Sequence, residues 1–75
     1  MKTNKTEYKV IKEYNNNGQL IRQINYRSDG RRIYRIDEFN KNKNNQKIYY
    51  LYDGKTIFKT EEFNENSKLI KEIIM

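Results

Sequence analysis

The chain has 75 residues, a formal net charge of +6, and no Cys, His or Pro. It is long enough for one domain at most, and it offers no disulfide, thiolate metal site or histidine switch. Its 16 Lys and Arg residues alternate with 10 Asp and Glu residues along nearly every segment. Most of these charged side chains are therefore expected to lie on a solvated surface. The excess of positive charge would also allow binding to an anionic partner such as nucleic acid or an acidic protein.

The N-terminal segment carries no structural signal. Residues 1–6 are polar and unpatterned, and we expect them to fray. They lack the apolar run of a signal peptide, and the runs Ile48–Tyr52 and Ile73–Met75 are far too short to span a bilayer. Two expectations stay open: a cytoplasmic protein, or a mature secreted form whose signal was removed and replaced by Met1.

The sequence pattern of residues 7–75 predicts a single β-repeat domain. Short runs of β-branched and aromatic residues are separated by Gly, Asn and Asp, which is typical of hairpins. Helix-spaced apolar residues never continue beyond about two turns, so a helical fold is disfavoured. The six predicted strands are Tyr8–Tyr14, Leu20–Tyr26, Ile33–Phe39, Ile48–Tyr52, Ile57–Phe63 and Leu69–Ile74.

An internal repeat organises these strands. The stretch Asp53–Asn64 repeats Asp29–Asn40 at a constant separation of 24 positions. The step Glu-(Tyr/Phe)-Asn occurs three times, at residues 13–15, 38–40 and 62–64, which extends the series to nearly three copies. The predicted fold class is therefore all-β, a single antiparallel six-stranded meander built from about three hairpin repeats of ~24 residues.

Two alternating kinds of turn set the predicted register. Asp29-Gly30 and Asp53-Gly54 are interpreted as two-residue type I′ turns, because Asp-Gly tolerates positive φ at both central positions. The strand pairs that follow from these turns are Tyr26 with Ile33, Ile24 with Arg35, Arg22 with Asp37, Tyr50 with Ile57, and Tyr49 with Phe58.

The other predicted connections are longer and cover residues 15–19, 40–45 and 64–67. In the first of them, Gly18 suits a type I turn with a bulge, which pairs Tyr14 with Leu20 and Val10 with Ile24. A two-residue Asn17-Gly18 turn would instead move Tyr14 to the other face of the sheet. The bulged loop is preferred because it keeps Tyr14 equivalent to the aromatic residues of the other two copies.

Strict alternation along these strands predicts apolar residues on both faces. One face is expected to carry Tyr8, Val10, Tyr14, Leu20, Ile24, Tyr26, Ile33, Phe39, Ile48, Tyr50, Ile57, Phe63, Leu69 and Ile73. The other is expected to carry Ile11, Ile21, Tyr34, Ile36, Tyr49, Leu51, Phe58, Ile70 and Ile74.

The repeat units resemble a known family. The stretches Tyr26–Ile33 and Tyr50–Ile57, each followed by Glu-Phe-Asn, are similar to a phytoplasma repeat family of unknown function, over about residues 10–75. More distantly they resemble the MORN-like and Tyr-Asp repeat families. The first unit departs from the pattern, with Arg31-Arg32 in place of Lys-Thr. The resemblance implies a small repeat module from a plant-pathogenic bacterium, secreted into a host, and it carries over no catalytic residue.

Catalysis has little support in the sequence. Glu61 and Glu62 point to opposite faces of one strand, as do Asp37 and Glu38, so neither pair converges for acid–base work. No Asp or Asn cluster has the spacing of a calcium loop. The sequence predicts a protein that is not an enzyme and has no catalytic residue, cofactor or metal site.

A binding function is favoured instead. Tyr and Phe side chains among arginines are suited to nucleic acid, although cross-strand packing explains the same aromatic residues. Protein binding is preferred, because a lone sheet with apolar residues on both faces and two open edges needs a partner, host or bacterial, or a second copy of itself. The homodimer would form through an edge strand or an apolar face. The candidate partner-binding residues are Arg22, Arg31, Arg32, Tyr34, Arg35, Tyr49 and Phe58.

Overall fold

A computed structural model describes residues 9–40 and 44–75 of the chain. The expectations for the N-terminal residues 1–6, for Tyr8, and for residues 41–43 of the second long loop lie outside these ranges.

The described chain is one antiparallel sheet whose strands lie side by side in chain order. This confirms the predicted all-β meander. The sheet is not closed, so β1 and β6 each have a single neighbouring strand, and it measures 43 × 34 × 19 Å. The strands are β1 (Val10–Tyr14), β2 (Leu20–Tyr26), β3 (Ile33–Glu38), β4 (Asn45–Tyr50), β5 (Ile57–Phe63) and β6 (Leu69–Ile74).

The bounds of three strands differ from those predicted, and in β1 the strand begins after Lys9, at Val10. Strand β3 ends at Glu38 rather than Phe39, and β4 covers Asn45–Tyr50 rather than Ile48–Tyr52. The polar start of β4 pairs with β5, with Asn45 opposite Phe63. Backbone hydrogen bonds to neighbouring strands extend a strand through polar residues that carry no apolar signal.

The β1–β2 loop has the predicted bulged form. The Asn15 N–H donates to the Gln19 carbonyl at 3.0 Å, and the Gly18 N–H donates to the Asn15 carbonyl at 3.0 Å. Gly18 has a φ of +78°, as the left-handed position of this loop requires. Tyr14 accordingly pairs with Leu20, as predicted.

The β5–β6 loop has the same hydrogen bonds but a different residue at the strained position. Ser67 has a φ of +63° and donates its N–H to the Asn64 carbonyl at 2.9 Å. It therefore occupies the place that Gly18 holds in the first loop. A side chain in the left-handed region costs roughly 1 kcal/mol.

We therefore expect Ser67→Gly to raise the free energy of unfolding by about 0.5 kcal/mol, because the relieved strain exceeds the extra entropy of glycine in the unfolded chain. Ser28→Gly is the matched control. Ser28 does not have positive φ, so this change should lower stability by about 0.5 kcal/mol. Urea unfolding of both variants measures the difference, and a Ser67→Gly protein less stable than wild type would contradict the strain at this loop.

The predicted type I′ turns at the Asp-Gly steps are wrong. The Arg27 N–H donates to the Arg32 carbonyl at 2.8 Å, so the first loop contains four residues rather than two. Within it the Gly30 N–H donates to the Arg27 carbonyl at 2.8 Å, and Asp29 does not have positive φ. The Asp29 carboxylate explains the longer loop, because its Oδ1 accepts from the N–H groups of Arg31 and Arg32 at 2.9 and 3.1 Å.

The second Asp-Gly loop repeats this arrangement. Asp53 Oδ1 accepts from the N–H groups of Lys55 and Thr56 at 2.8 and 2.9 Å, and Oδ2 accepts from the Thr56 hydroxyl at 2.6 Å. These hydrogen bonds, led by the Thr56 hydroxyl, hold the pKa of Asp53 at about 2. In the first loop the Arg31 N–H and then the Arg32 side chain hold the pKa of Asp29 well below its usual range.

A lowered folded-state pKa makes this loop acid-sensitive. The stabilisation from Asp53 is fully present above its unfolded pKa near 4 and is lost as pH falls from about 4 to about 2. We expect Asp53→Asn, which keeps an acceptor oxygen but cannot titrate, to weaken the fall in stability over that window. Urea midpoints at neutral pH and at several acid pH values measure this, and an unchanged acid slope would contradict it.

The predicted register is wrong beyond the turns, because the hairpins β1–β2, β2–β3, β4–β5 and β5–β6 each contain a bulge. Tyr26 pairs with Ile33 and Tyr50 with Ile57, as predicted. One extra residue then shifts the pairing by a step. The observed pairs are Ile24 with Ile36, Arg22 with Glu38, Tyr49 with Lys59, and Val10 with Asn25, in place of the predicted Ile24 with Arg35, Arg22 with Asp37, Tyr49 with Phe58, and Val10 with Ile24. The extra residues are Ile21, Tyr34, Phe58 and Ile70.

These bulges also change which residues share a face. Directly paired residues point to the same side of a sheet. The isoleucine face is therefore defined by the row Ile11, Ile24, Ile36, Ile48, Thr60 and Ile73, which crosses all six strands. The opposite, aromatic–cationic face contains the row Val10, Asn25, Arg35, Tyr49, Lys59 and Ile74. The predicted separation of Ile11 and Ile36 from Ile24 is thus wrong, as is the placing of Val10 with Ile24.

The sheet has no apolar interior within the described residues. No hydrophobic side chain there is buried, and the one buried residue is Asp37, with 5% of its surface exposed. All residues of β6 are exposed. The hydrophobic side chains are thus half covered by their neighbours in a single layer, and both faces present apolar surface to the outside.

Candidate functional site

An aromatic cluster lies at the middle of the aromatic–cationic face. The Tyr49 ring centroid is 6.2 Å from the ring of Tyr34, nearly perpendicular to it, and 6.2 Å from the ring of Phe58. The bulges create this cluster, because they place Tyr34 on the same side as Arg35 and Phe58 on the same side as Lys59. Both cations approach the Tyr49 ring, with Arg35 Cζ at 5.9 Å and Lys59 Nζ at 4.6 Å from its centroid.

The buried Asp37 holds Arg35 in this cluster. Arg35 Nε lies 2.8 Å from Asp37 Oδ1, an ion pair without the alignment of a hydrogen bond. Asp37 Oδ2 accepts hydrogen bonds from Arg35 Nη2 and Asn25 Nδ2, both at 3.2 Å. Partial burial alone would lower the pKa of Arg35, but the Asp37 carboxylate outweighs it and raises that pKa. Arg35 therefore stays protonated, and its contacts with Asp37 hold the guanidinium in place.

A second acid orients the central tyrosine. The Tyr49 hydroxyl donates to Glu61 Oε1 at 2.9 Å, and Lys59 Nζ lies 3.5 Å from Glu61 Oε2. Burial raises the pKa of the Tyr49 phenol, and the hydrogen bond to Glu61 raises it further. Tyr49 therefore stays neutral, which makes it a structural ring rather than an acid–base group.

Beside the cluster, a groove of about 470 Å³ opens near the Asp-Gly loops. Arg27 is one of the residues that line it, with its guanidinium carbon 4.4 Å from the Tyr52 ring centroid and 5.3 Å from that of Tyr34. Arg27 Nη2 also donates to the Tyr50 carbonyl at 2.9 Å. The groove, called here the Arg–Tyr groove, is lined by Val10, Asn25, Tyr26, Arg27, Ser28, Tyr34, Arg35 and Tyr52.

The structure brings together four of the seven candidate residues predicted from sequence. Tyr34, Arg35, Tyr49 and Phe58 form the cluster just described. Arg32 reaches its margin, where Nη1 donates to the Tyr52 carbonyl at 3.2 Å.

The other two candidates lie elsewhere. Arg22 is on the isoleucine face, with Nη1 2.7 Å from Glu13 Oε1 and Nε 3.6 Å from Glu38 Oε2. Arg31 is exposed in the first Asp-Gly loop, where its backbone N–H donates to Asp29.

Arg27 and Tyr52 belong to this site but are not among the seven candidate residues. They are 25 positions apart, one just before each Asp-Gly step. In a meander, alternate loops lie at the same end of the sheet, so the two Asp-Gly loops had to be neighbours. That topological argument was the available signal for their contact.

Two further features of the described chain bear on the class of site. Residues 9–40 and 44–75 contain no group of three or more His, Cys, Asp or Glu side chains suited to a metal ion. The same residues contain no helix long and apolar enough to cross a membrane.

The fold and the groove together define the class of protein, a small single-layer β-meander with an arginine and tyrosine groove on one face. The chain belongs to a family described as "Protein of unknown function (DUF2963)", whose sequence model matches residues 2–49. Membership of an unknown-function family is thereby confirmed. No curated protein and no solved structure matches the chain.

Proposed function

We propose that this chain is a non-enzymatic interaction module that binds a protein segment on its aromatic–cationic face. The observation that carries the proposal is the absence of a buried hydrophobic side chain among the described residues. A single sheet gains little stability from its own core, so apolar contact with a partner, or with a second copy of the chain as the alternative, would cover its faces.

The chemistry of the Arg–Tyr groove defines the partner. Tyr and Arg are the residues most enriched at binding hot spots, and here they are preorganised by contacts within the sheet. Tyr34 is 40% exposed and Tyr52 is 72% exposed, so both rings have free surface. With a net charge of +6 and an Arg27 guanidinium that contacts the Tyr50 carbonyl and two tyrosine rings, the groove suits an acidic segment that also carries apolar side chains.

The resemblance to a phytoplasma repeat family extends this proposal to the source of the partner. On that reading the module is a secreted effector and the acidic segment belongs to a host protein. A bacterial protein is the alternative source. Nucleic acid is the alternative class of partner, since tyrosines and arginines also bind bases and phosphates.

The test compares two variants of the intact protein as bait in plant and bacterial lysates. Tyr34→Ala with Tyr52→Ala removes the groove rings, while Tyr14→Ala removes a ring that is 56% exposed outside the groove. We expect a protein that is retained by wild type and by Tyr14→Ala but is lost from the double variant. Retention that is equal for all three baits would overturn the groove as the binding site.

A second measurement separates protein from nucleic acid. Anisotropy of labelled single-stranded RNA and duplex DNA is followed as salt rises, because phosphate contacts weaken steeply with salt. Specific binding that falls with salt and depends on Tyr34 and Tyr52 would replace the protein-binding proposal with a nucleic-acid one. We expect no such binding.

A further inference from the structure

The two edge strands of the described sheet, β1 and β6, carry complementary backbone groups and side chains. We infer that β6 of one copy pairs with β1 of the next, so that the meander continues from chain to chain in a head-to-tail assembly. This inference goes beyond the proposed function and stands without it, because it rests on the two edge strands. Val10 is the one residue of the proposed register that also lines the Arg–Tyr groove.

On each edge strand, the backbone N–H and C=O groups of alternate residues point away from the sheet. The Tyr26 N–H donates to the Lys9 carbonyl, and the Met75 N–H donates to the Phe58 carbonyl, both near 3 Å (3.0 and 2.9 Å). Backbone groups of successive residues point to alternate sides of a strand. Val10 and Lys12 therefore direct their N–H and C=O groups to the free side of β1, and Glu72 and Ile74 direct theirs to the free side of β6.

One register brings these groups together. Pairing Glu72 with Lys12 of the next copy also pairs Ile74 with Val10, Ile73 with Ile11, and Lys71 with Glu13 of that copy. In these four pairs each apolar residue meets an apolar one, and each charged residue meets the opposite charge. Such cross-strand pairs each stabilise a sheet, whereas like charges placed opposite destabilise it.

The proposed register between copies has the same form as the register of two strand pairs inside the chain. Strands β2 and β3 pair Ile24 with Ile36, and β4 and β5 pair Ile48 with Thr60. The junction of Ile73 with Ile11 of the next copy extends the same row across the isoleucine face. The assembly thus supplies a third junction of the kind that the two Asp-Gly loops make within the chain.

Other edge pairings fit less well. A symmetric pair of β6 strands that overlap at their centres sets Lys71 opposite Lys71, or Glu72 opposite Glu72. A symmetric pair of β1 strands centred on Lys12 sets two lysines opposite each other. Head-to-tail pairing avoids these like-charge contacts, and because it is heterologous it does not stop at two copies.

Charge reversal gives a decisive test by light scattering and sedimentation of the full chain. Lys12→Glu and Glu72→Lys each place like charges at every junction, and each should weaken association about tenfold. Mixed in equal amounts, the two variants restore opposite charges at both alternating junctions and should associate as wild type does. A protein that remains monomeric, a species that stops at two copies, or single variants that associate like wild type would overturn the inference.

A backbone variant provides an independent measurement. Lys12→Pro removes an N–H that points to the free edge, a place where a strand tolerates proline. It should therefore keep the circular dichroism spectrum of the sheet while it abolishes association, whereas Lys12→Ala should weaken association far less. Association that survives Lys12→Pro in a folded protein would exclude β1 as the pairing edge. Because the variants at Lys12 and Glu72 change no residue that lines the Arg–Tyr groove, these results leave the proposed binding function to be judged by its own test.

Discussion

Asp37→Ala should lower the free energy of unfolding by about 2–3 kcal/mol. The change leaves the Arg35 guanidinium without its carboxylate in a partly covered site, and breaking a buried ion pair costs several kcal/mol because one charge stays uncompensated. Arg35 keeps 27% of its side chain exposed, so water offsets part of that cost. A domain of this size has a total stability on the order of 5 kcal/mol, and the variant should be close to unfolding at ambient temperature.

The adjacent carboxylate is the matched control. Glu38 lies on the isoleucine face, 3.6 Å from Arg22 Nε, and both side chains are about one third or more exposed (34% and 43%). Glu38→Ala should therefore cost less than about 1 kcal/mol. Urea unfolding of the two variants compares them directly, and equal losses would show that burial of Asp37 contributes nothing.

A double-mutant cycle identifies the source of the loss. If Asp37→Ala is destabilising because Arg35 is left unpaired, then adding Arg35→Ala should recover part of the stability. Additive losses would instead assign the effect to the packing of the two side chains.

The sequence predicted the fold far better than the details of its face. Six strands in chain order follow from the apolar runs and the loop residues between them, and the short loop at Gly18 follows from its left-handed position. The positions of the bulges could not be predicted from the sequence, because Tyr34 and Phe58 fit an alternating strand as well as they fit a bulge. The loops give no help either, because both Asp-Gly loops keep the predicted pairs Tyr26 with Ile33 and Tyr50 with Ile57, and the shift begins only beyond those pairs.

The candidate site was predicted in part for the same reason. Four of the seven candidate residues lie together in the site, but face assignment needs the register, and Arg22 lies on the other face. The burial of Asp37 could not be predicted from the sequence. In the chain it is one of two adjacent acids, and burial separates its role from that of Glu38.

Gly54→Ala should destabilise the protein by about 2–4 kcal/mol, whereas Gly30→Ala should cost about 1 kcal/mol. The two glycines hold the same place in the two Asp-Gly loops, with φ of +72° and +70°. Both variants suffer the strain of a side chain in the left-handed region. They differ in what the new Cβ meets.

At Gly30 the added Cβ has no atom within 4 Å, whereas at Gly54 it lies 3.0 Å from Arg32 Cα and 3.1 Å from the Ile33 nitrogen. These are backbone atoms where the first loop enters β3, so they cannot move away as a flexible side chain would. The second loop therefore packs against the first through the surface of Gly54, next to the contact of Arg32 with the Tyr52 carbonyl.

Urea midpoints of the two alanine variants measure the cost of that contact, since the shared backbone strain cancels in their difference. A second readout follows from the Arg–Tyr groove, which is built from both loops. Gly54→Ala should displace Tyr52 relative to Arg27 and alter the tyrosine signal in near-ultraviolet circular dichroism, and Gly30→Ala should not. Equal midpoints and equal spectra would mean that the loops are independent, and that the groove is not held by their packing.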